Sequence, residues 1–111
     1  MTHPRELEDD EMIQIAKLMD ESNVFGSSKA FYKLYNTAKG AVFYFENGET
    51  DKTFSCEFEF TLVNLKIVDE TEGATMFKVE LKAGASCHKM LKPIDEGEET
   101  GIDMRFDFKL S

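Results

Sequence analysis

Two stretches of the chain alternate between apolar and polar residues without interruption. In residues 102–110 every even-numbered residue is apolar and every odd-numbered residue is charged. Residues 54–62 follow the same rule, with serine, threonine or glutamate at the odd positions. Because successive side chains of a β-strand point to opposite faces, each stretch predicts a strand with one apolar and one polar face. Such one-sided strands are typical of antiparallel sheets.

Turn residues divide the rest of the chain after residue 28 into further apolar-rich stretches, which also predict strands. Asn47-Gly48 predicts a hairpin turn, because both residues tolerate positive φ, and Val63-Asn64 predicts a tight change of direction. The fold class predicted is mainly β, an antiparallel seven-strand sandwich or a partly open barrel, and the sequence leaves both architectures open. The predicted strands cover residues 29–36, 41–46, 52–62, 64–69, 75–82, 86–94 and 102–110.

The N-terminal segment has a different pattern and predicts one helix over about residues 6–21. Pro4 and the acidic residues that follow it suit a first helical turn. We expect the narrow apolar stripe to pack on the β domain, and a helix that binds a partner is the alternative. The chain is therefore divided into an acidic helix with a linker, residues 1–26, and an antiparallel β domain, residues 27–111. The stripe consists of Met12, Ile15, Ala16, Leu18 and Met19.

The net charge limits the classes of molecule that the chain is expected to bind. The chain has 22 acidic and 13 basic side chains, for a net charge of −9. A nucleic acid needs a basic surface, so no nucleic-acid partner is expected. No direct membrane anchor is expected, because no lipidation signal or long apolar stretch is present. Without a signal peptide, and with only Cys56 and Cys87 as cysteines, a cytoplasmic location is the expectation.

Acidic residues concentrate in three of the six connections between the predicted strands. If every connection reverses the chain, the second, fourth and sixth emerge at the same end of the fold. Calcium accepts roughly six to eight oxygen ligands, so this end is a candidate calcium site. A solubilising end and a surface for a basic protein partner are the alternatives. The ten candidate ligands are Glu46, Glu49, Asp51, Asp69, Glu70, Glu72, Asp95, Glu96, Glu98 and Glu99.

Cys87-His88 is the one pair of residues in the sequence that we consider as a catalytic nucleophile and base. Adjacent residues of a strand point to opposite faces, so this thiol and imidazole are not expected to bond to each other. The histidines and cysteines do not have the spacing of a zinc site, and no glycine-rich phosphate loop occurs. We therefore expect no enzymatic activity, no catalytic residue and no cofactor other than the calcium considered above.

Three short motifs carry a resemblance to a known family. They are Tyr32 to Asn36, Val42 to Asn47, and Val79 to Gly84, where the pattern Val-x-Leu-x-x-Gly closes a strand. With these motifs, residues 31–110 resemble the small non-catalytic β domain of calpain-like proteins of protists, the kinetoplastid type. The resemblance implies a module without protease chemistry that acts in protein interaction, often at the cytoskeleton or flagellum.

The sequence thus favours a non-catalytic protein-interaction or scaffold domain with one or more protein partners. The resemblance adds an expected association with the cytoskeleton or flagellum. The alternative is a calcium-responsive binding domain similar to a C2 module, which would use the clustered acidic loops.

Overall fold

The computed structural model describes residues 9–37, 40–71, 73–95 and 97–111. All strand pairs are antiparallel, in a five-stranded sheet of order β1-β2-β3-β7-β5 and a three-stranded sheet of order β6-β4-β8. The mainly β antiparallel fold with an N-terminal helix is confirmed, and the described strands form no closed barrel. The elements are α1 (Asp9–Leu18), β1 (Asn23–Val24), β2 (Ala30–Thr37), β3 (Gly40–Asn47), β4 (Phe54–Val63), β5 (Leu65–Ile67), β6 (Met76–Leu81), β7 (Ser86–Pro93) and β8 (Gly101–Leu110).

The predicted helix is longer than the observed one. Residues 6–8 lie outside the described residues, and the helix ends at Leu18 rather than near residue 21. Residues 20–22 are polar and exposed, so no packing of that segment extends the helix. The seven predicted strands are all present, and the two-residue strand β1 is an addition that the sequence did not predict.

Phenylalanine side chains fill the space between the two sheets. Phe43 and Phe45 of β3 reach across to Phe58 of β4, with ring centroids 6.2 and 5.2 Å apart. Phe58 also stacks on Phe77 of β6 at 5.3 Å. Each fully buried phenylalanine contributes about 1.5–3 kcal/mol. The alternating residues of β4 therefore face the core, as their spacing predicted.

Phe25 closes one side of this core. It follows β1 directly, is fully buried, and packs beside Phe106 and Phe108 of β8, with centroid distances of 5.1 and 5.6 Å. The same ring lies 4.7 Å from that of Phe54 on β4. Residues 23–25 thus add a strand and a core residue to the sandwich, although the sequence division assigned them to the N-terminal segment.

Helix α1 forms a third layer on the outer face of the five-stranded sheet. Met12 and Ala16 are buried against Val42, Tyr44 and Met90 in a second apolar cluster. Strand β3 is consequently covered on both faces, which explains why nearly all of its residues are buried. The prediction that this helix packs on the β domain is confirmed.

The predicted hairpin at Asn47-Gly48 is wrong. Strands β3 and β4 belong to different sheets, and neither residue has positive φ. Asn47 is fully buried instead, and its Nδ2 donates hydrogen bonds to the carbonyl oxygens of Lys52 and Leu81 at 2.8 and 2.9 Å. A Cβ on Gly48 would lie 2.6 Å from the carbonyl oxygen of Lys29. Close packing where the two sheets meet, and not a hairpin turn, therefore explains why asparagine and glycine occupy positions 47 and 48.

Replacing Asn47 with alanine should destabilise the protein by about 2–4 kcal/mol, because two carbonyl groups and the Glu49 N–H lose a buried partner. Urea unfolding followed by circular dichroism measures this change. Asn36→Ala is the matched control at an exposed position, where a change of at most about 0.5 kcal/mol is expected. Equal stabilities of the two variants would contradict the role assigned to Asn47.

Candidate functional site

The strand registers define two ends of the sandwich. At the Asn47 end, β2 begins opposite the last residue of β3, and β6 and β8 end beside the start of β4. At the Asn64 end, β4 turns into β5 next to the start of β8 and the end of β7. Asn64 makes that turn with a φ of 55°, so the predicted change of direction is confirmed.

The expected gathering of ten carboxylates at one end is wrong. The second connection leaves from the Asn47 end, whereas the sixth lies at the Asn64 end, where Asn64 Nδ2 donates to the carbonyl oxygen of Asp95 at 2.8 Å. The fourth connection joins β5 to β6, which run in the same direction in different sheets. Because this connection does not reverse the chain, the later connections emerge at the ends opposite to those expected.

The eight predicted calcium ligands that the structure describes are consequently distributed over three connections. Some of them bind groups of the chain itself: Tyr44 Oη donates to Glu46 at 2.8 Å and Lys89 Nζ donates to Glu70 at 3.0 Å. Among the described residues, no three His, Cys, Asp or Glu side chains come together in a group that could hold a metal ion. Glu46, Glu49 and Asp51 lie at the Asn47 end, Asp69 and Glu70 on the fourth connection, and Asp95, Glu98 and Glu99 at the Asn64 end, while Glu72 and Glu96 lie outside the described residues.

Cys87 and His88 lie on opposite faces of β7, as their spacing predicted. Cys87 packs against the core between the sheets, whereas His88 lies opposite Tyr44 on the outer face and is exposed. Burial raises the pKa of the Cys87 thiol and raises the pKa of Cys56 to about 12. Both thiols are therefore protonated at neutral pH. Cys87 and His88, on opposite faces of the strand, do not form a thiol–imidazole pair.

A groove of about 810 Å³ opens beside the fourth connection. Leu62, Ile67 and Ile94 give it apolar walls, and Glu70, which also lines it, is held by Lys89 at 3.0 Å. The described residues around this groove include no histidine or cysteine. The groove thus offers space and apolar surface, with carboxylate and lysine side chains among its lining residues.

Strand β8 is one of the two outermost strands of the three-stranded sheet, and no described strand pairs with its outer edge. Thr53 and Ser111 exchange two backbone hydrogen bonds, of 2.8 and 3.0 Å. In an antiparallel ladder, such doubly bonded pairs alternate with pairs whose N–H and C=O groups point away from each other. The odd-numbered residues of β8 therefore bond to β4, and the even-numbered residues direct their backbone groups outward.

The same even-numbered residues carry the apolar side chains of β8. Phe106 and Phe108 face the core, yet they remain 39% and 38% exposed, whereas the inward side chains of the other outer strand, β6, are buried. We call the outward backbone groups of residues 102–110, together with these two rings, the β8 edge. This surface combines hydrogen-bonding groups and apolar area on one strand.

The outer face of β8 carries charges of both signs. Arg105 donates from Nε and Nη2 to the Glu59 carboxylate at 3.1 and 2.9 Å, and these hydrogen bonds hold the pKa of Glu59 below its usual value. Asp107 lies opposite Glu57, so two carboxylates face each other across β4 and β8. The remaining two charges face uncharged polar residues, with Asp103 opposite Thr61 and Lys109 opposite Ser55.

Comparisons with known proteins assign no family to this chain. No family model matches it, and neither the curated proteins nor the solved structures give a significant match. Among the residues that the structure describes, no helix is long and apolar enough to cross a membrane. The resemblance to calpain-like domains therefore stays a prediction.

The sequence predicted β8 as a strand but did not reveal its open edge. Alternation along residues 102–110 gives the two faces of the strand, whereas the position of that strand in the sheet depends on pairings with residues far away in the chain. The one available signal was the alternation of acidic and basic residues from Asp103 to Lys109, which is a common device of edge strands.

Addition of calcium to about 1 mM should leave the melting temperature unchanged, because the described candidate ligands form no group that could hold a metal ion. A bound cation would otherwise stabilise the folded state. Differential scanning fluorimetry against the same protein in EDTA measures the shift, with magnesium as the control for ionic strength. A calcium-specific increase of several degrees would contradict this expectation and restore the C2-like alternative.

Proposed function

We propose that this chain is a non-catalytic protein-interaction domain that binds another polypeptide by strand addition at the β8 edge. A strand that joins a sheet needs backbone N–H and C=O groups for its hydrogen bonds and side-chain contacts for specificity. The even-numbered residues of β8 supply the first, and Phe106 and Phe108 supply the second. The observation that carries the proposal is this coincidence of outward backbone groups and half-exposed aromatic rings on one strand.

Comparison with the other outer strands favours β8. Native proteins usually keep outer strands short or cover them, since an exposed strand edge invites pairing with another chain. Strands β1 and β5 have only 2 and 3 residues, and β6 has 6. Strand β8 has 10 residues and is therefore the longest outer strand in the described part of the chain.

The proposed role agrees with what the sequence resemblance implies. A module similar to the β domain of calpain-like proteins would act as a scaffold in the cytoplasm, in association with the cytoskeleton or flagellum, and we keep this setting as part of the proposal. The C2-like alternative receives no support from the geometry, because the described residues of the acidic connections form no group that could hold a metal ion.

A proline at position 104 tests the proposal. The N–H of Met104 points outward and is not used within the sheet, so Met104→Pro removes an edge donor without breaking the β4–β8 ladder. Met104→Ala is the matched control, because it shortens the same side chain and keeps the N–H. In affinity purification from the source cells, we expect Met104→Ala to retain the polypeptide partners of the wild-type protein and Met104→Pro to lose most of them.

Circular dichroism and thermal unfolding of both variants establish that they are folded before the purification is interpreted. Equal recovery of every partner with the two variants would contradict the proposal. The groove beside the fourth connection would then be the next surface to test as the binding site. Untagged copies of the chain itself count among the partners, because strand addition does not require a different polypeptide.

A further inference from the structure

The charge pattern of β8 identifies a specific occupant for its edge. Resting on the proposed function above, we propose that the β8 edge binds a second copy of this chain, with the two β8 strands antiparallel about a two-fold axis at Phe106. The three-stranded sheets of the two copies then join into one continuous six-stranded sheet. The proposal follows from the backbone orientation, the charges and the exposed rings.

The backbone orientation limits the registers open to such a pair. Even-numbered residues direct their N–H and C=O groups outward, so each must face an even-numbered residue of the second copy for hydrogen bonds to form. The same condition places apolar side chains opposite apolar ones on the inner face and charges opposite charges on the outer face. A shift by one residue would lose both the hydrogen bonds and the match of the faces.

The charges then favour the register centred on Phe106 over its two nearest alternatives. With the axis at Phe106, Asp103 faces Lys109 of the second copy and Arg105 faces Asp107, and the symmetry repeats both pairs. An axis at Arg105 would instead place the two arginines opposite each other and Asp103 opposite Asp107. An axis at Asp107 would oppose the two aspartates and pair Arg105 with Lys109. Because like charges directly opposite each other are destabilising, the Phe106 register is favoured over its neighbours.

The inner face gains apolar contacts in this register. Phe106 lies opposite Phe106 of the second copy, and Met104 lies opposite Phe108. The rings that are 39% and 38% exposed in the single chain would each receive an apolar neighbour. Aromatic and apolar pairs across strands contribute to sheet stability in addition to the backbone hydrogen bonds.

The second copy also relieves an unfavourable contact within the single chain. Asp107 lies opposite Glu57 on the outer face, and Lys78 approaches that glutamate only to 3.9 Å. In the paired arrangement, Arg105 of the second copy lies next to Asp107 on its other side. Association of chains with a net charge of −9 is opposed in general, but β8 itself carries two acidic and two basic residues, so the edges that meet are neutral.

Sedimentation equilibrium of two single variants and their mixture tests this register. Asp103 and Lys109 are exposed and face uncharged residues of β4, so Asp103→Lys and Lys109→Asp leave the single chain undisturbed. Each variant alone places like charges opposite each other twice, and its dimer should be weaker than that of the wild type by about tenfold. A mixture of the two variants restores opposite charges at both places and should dimerise as tightly as the wild type.

The outcomes separate this inference from the proposed function. A wild-type dimer, two weakened variants and a restored mixture support self-pairing at the Phe106 register. A wild-type protein that stays monomeric at several hundred micromolar, or variants whose mixture is no tighter than either alone, overturns it. If Met104→Pro still loses partners that Met104→Ala retains, the proposed function stands without self-pairing, and if it loses none, both fail.

Discussion

The antiparallel ladder between β4 and β8 is the constraint on which the rest of the structure depends. It pairs all 10 residues of each strand, from Phe54 opposite Leu110 to Val63 opposite Gly101. One register fixes three properties of β8 together: which side chains enter the core, which charges lie on the outer face, and which backbone groups point away from the sheet. A slip by one residue would reverse all three.

Burial of aromatic rings holds this ladder against the five-stranded sheet. Phe58 at the centre of β4 contacts rings from both sheets, and Phe25 closes the side next to β8. Phe25 and Tyr32 cover only part of this side, since Phe106 and Phe108 remain 39% and 38% exposed beside them. The half-exposed rings are therefore a consequence of how the core closes, and they give the β8 edge its apolar component.

Local patterns in the sequence were sufficient to predict most of the elements, whereas the long-range pairing of the strands could not be predicted from them. Alternation located β4 and β8, and helical spacing located the part of the N-terminal segment that packs on β3. Phe25 was assigned to a linker because Val24-Phe25, two apolar residues between Asn23 and Gly26, are too few to show a period. Asn47 was taken for a turn residue because its buried hydrogen bond to Leu81, 34 residues away, leaves no trace in the local sequence.

The failed prediction of an acidic end has a physical cause of the same kind. Counting connections assumes that each one reverses the chain, which holds for hairpins and fails where the chain passes between sheets. The connection from β5 to β6 makes such a passage and leaves the two strands running in the same direction. The β8 edge was hidden for a related reason, since the alternation along β8 gives the two faces of the strand but not its neighbours in the sheet.

Amide hydrogen exchange along β8 is the most direct measurement of whether its edge pairs with a second copy. Odd-numbered amides such as Arg105 and Asp107 bond to β4 and serve as internal references, whereas those of Met104, Phe106 and Phe108 point outward. We predict that these three become as protected as the references at high protein concentration and lose that protection on dilution. Fast exchange of the three amides at every concentration, with the references protected, would contradict self-pairing at the β8 edge.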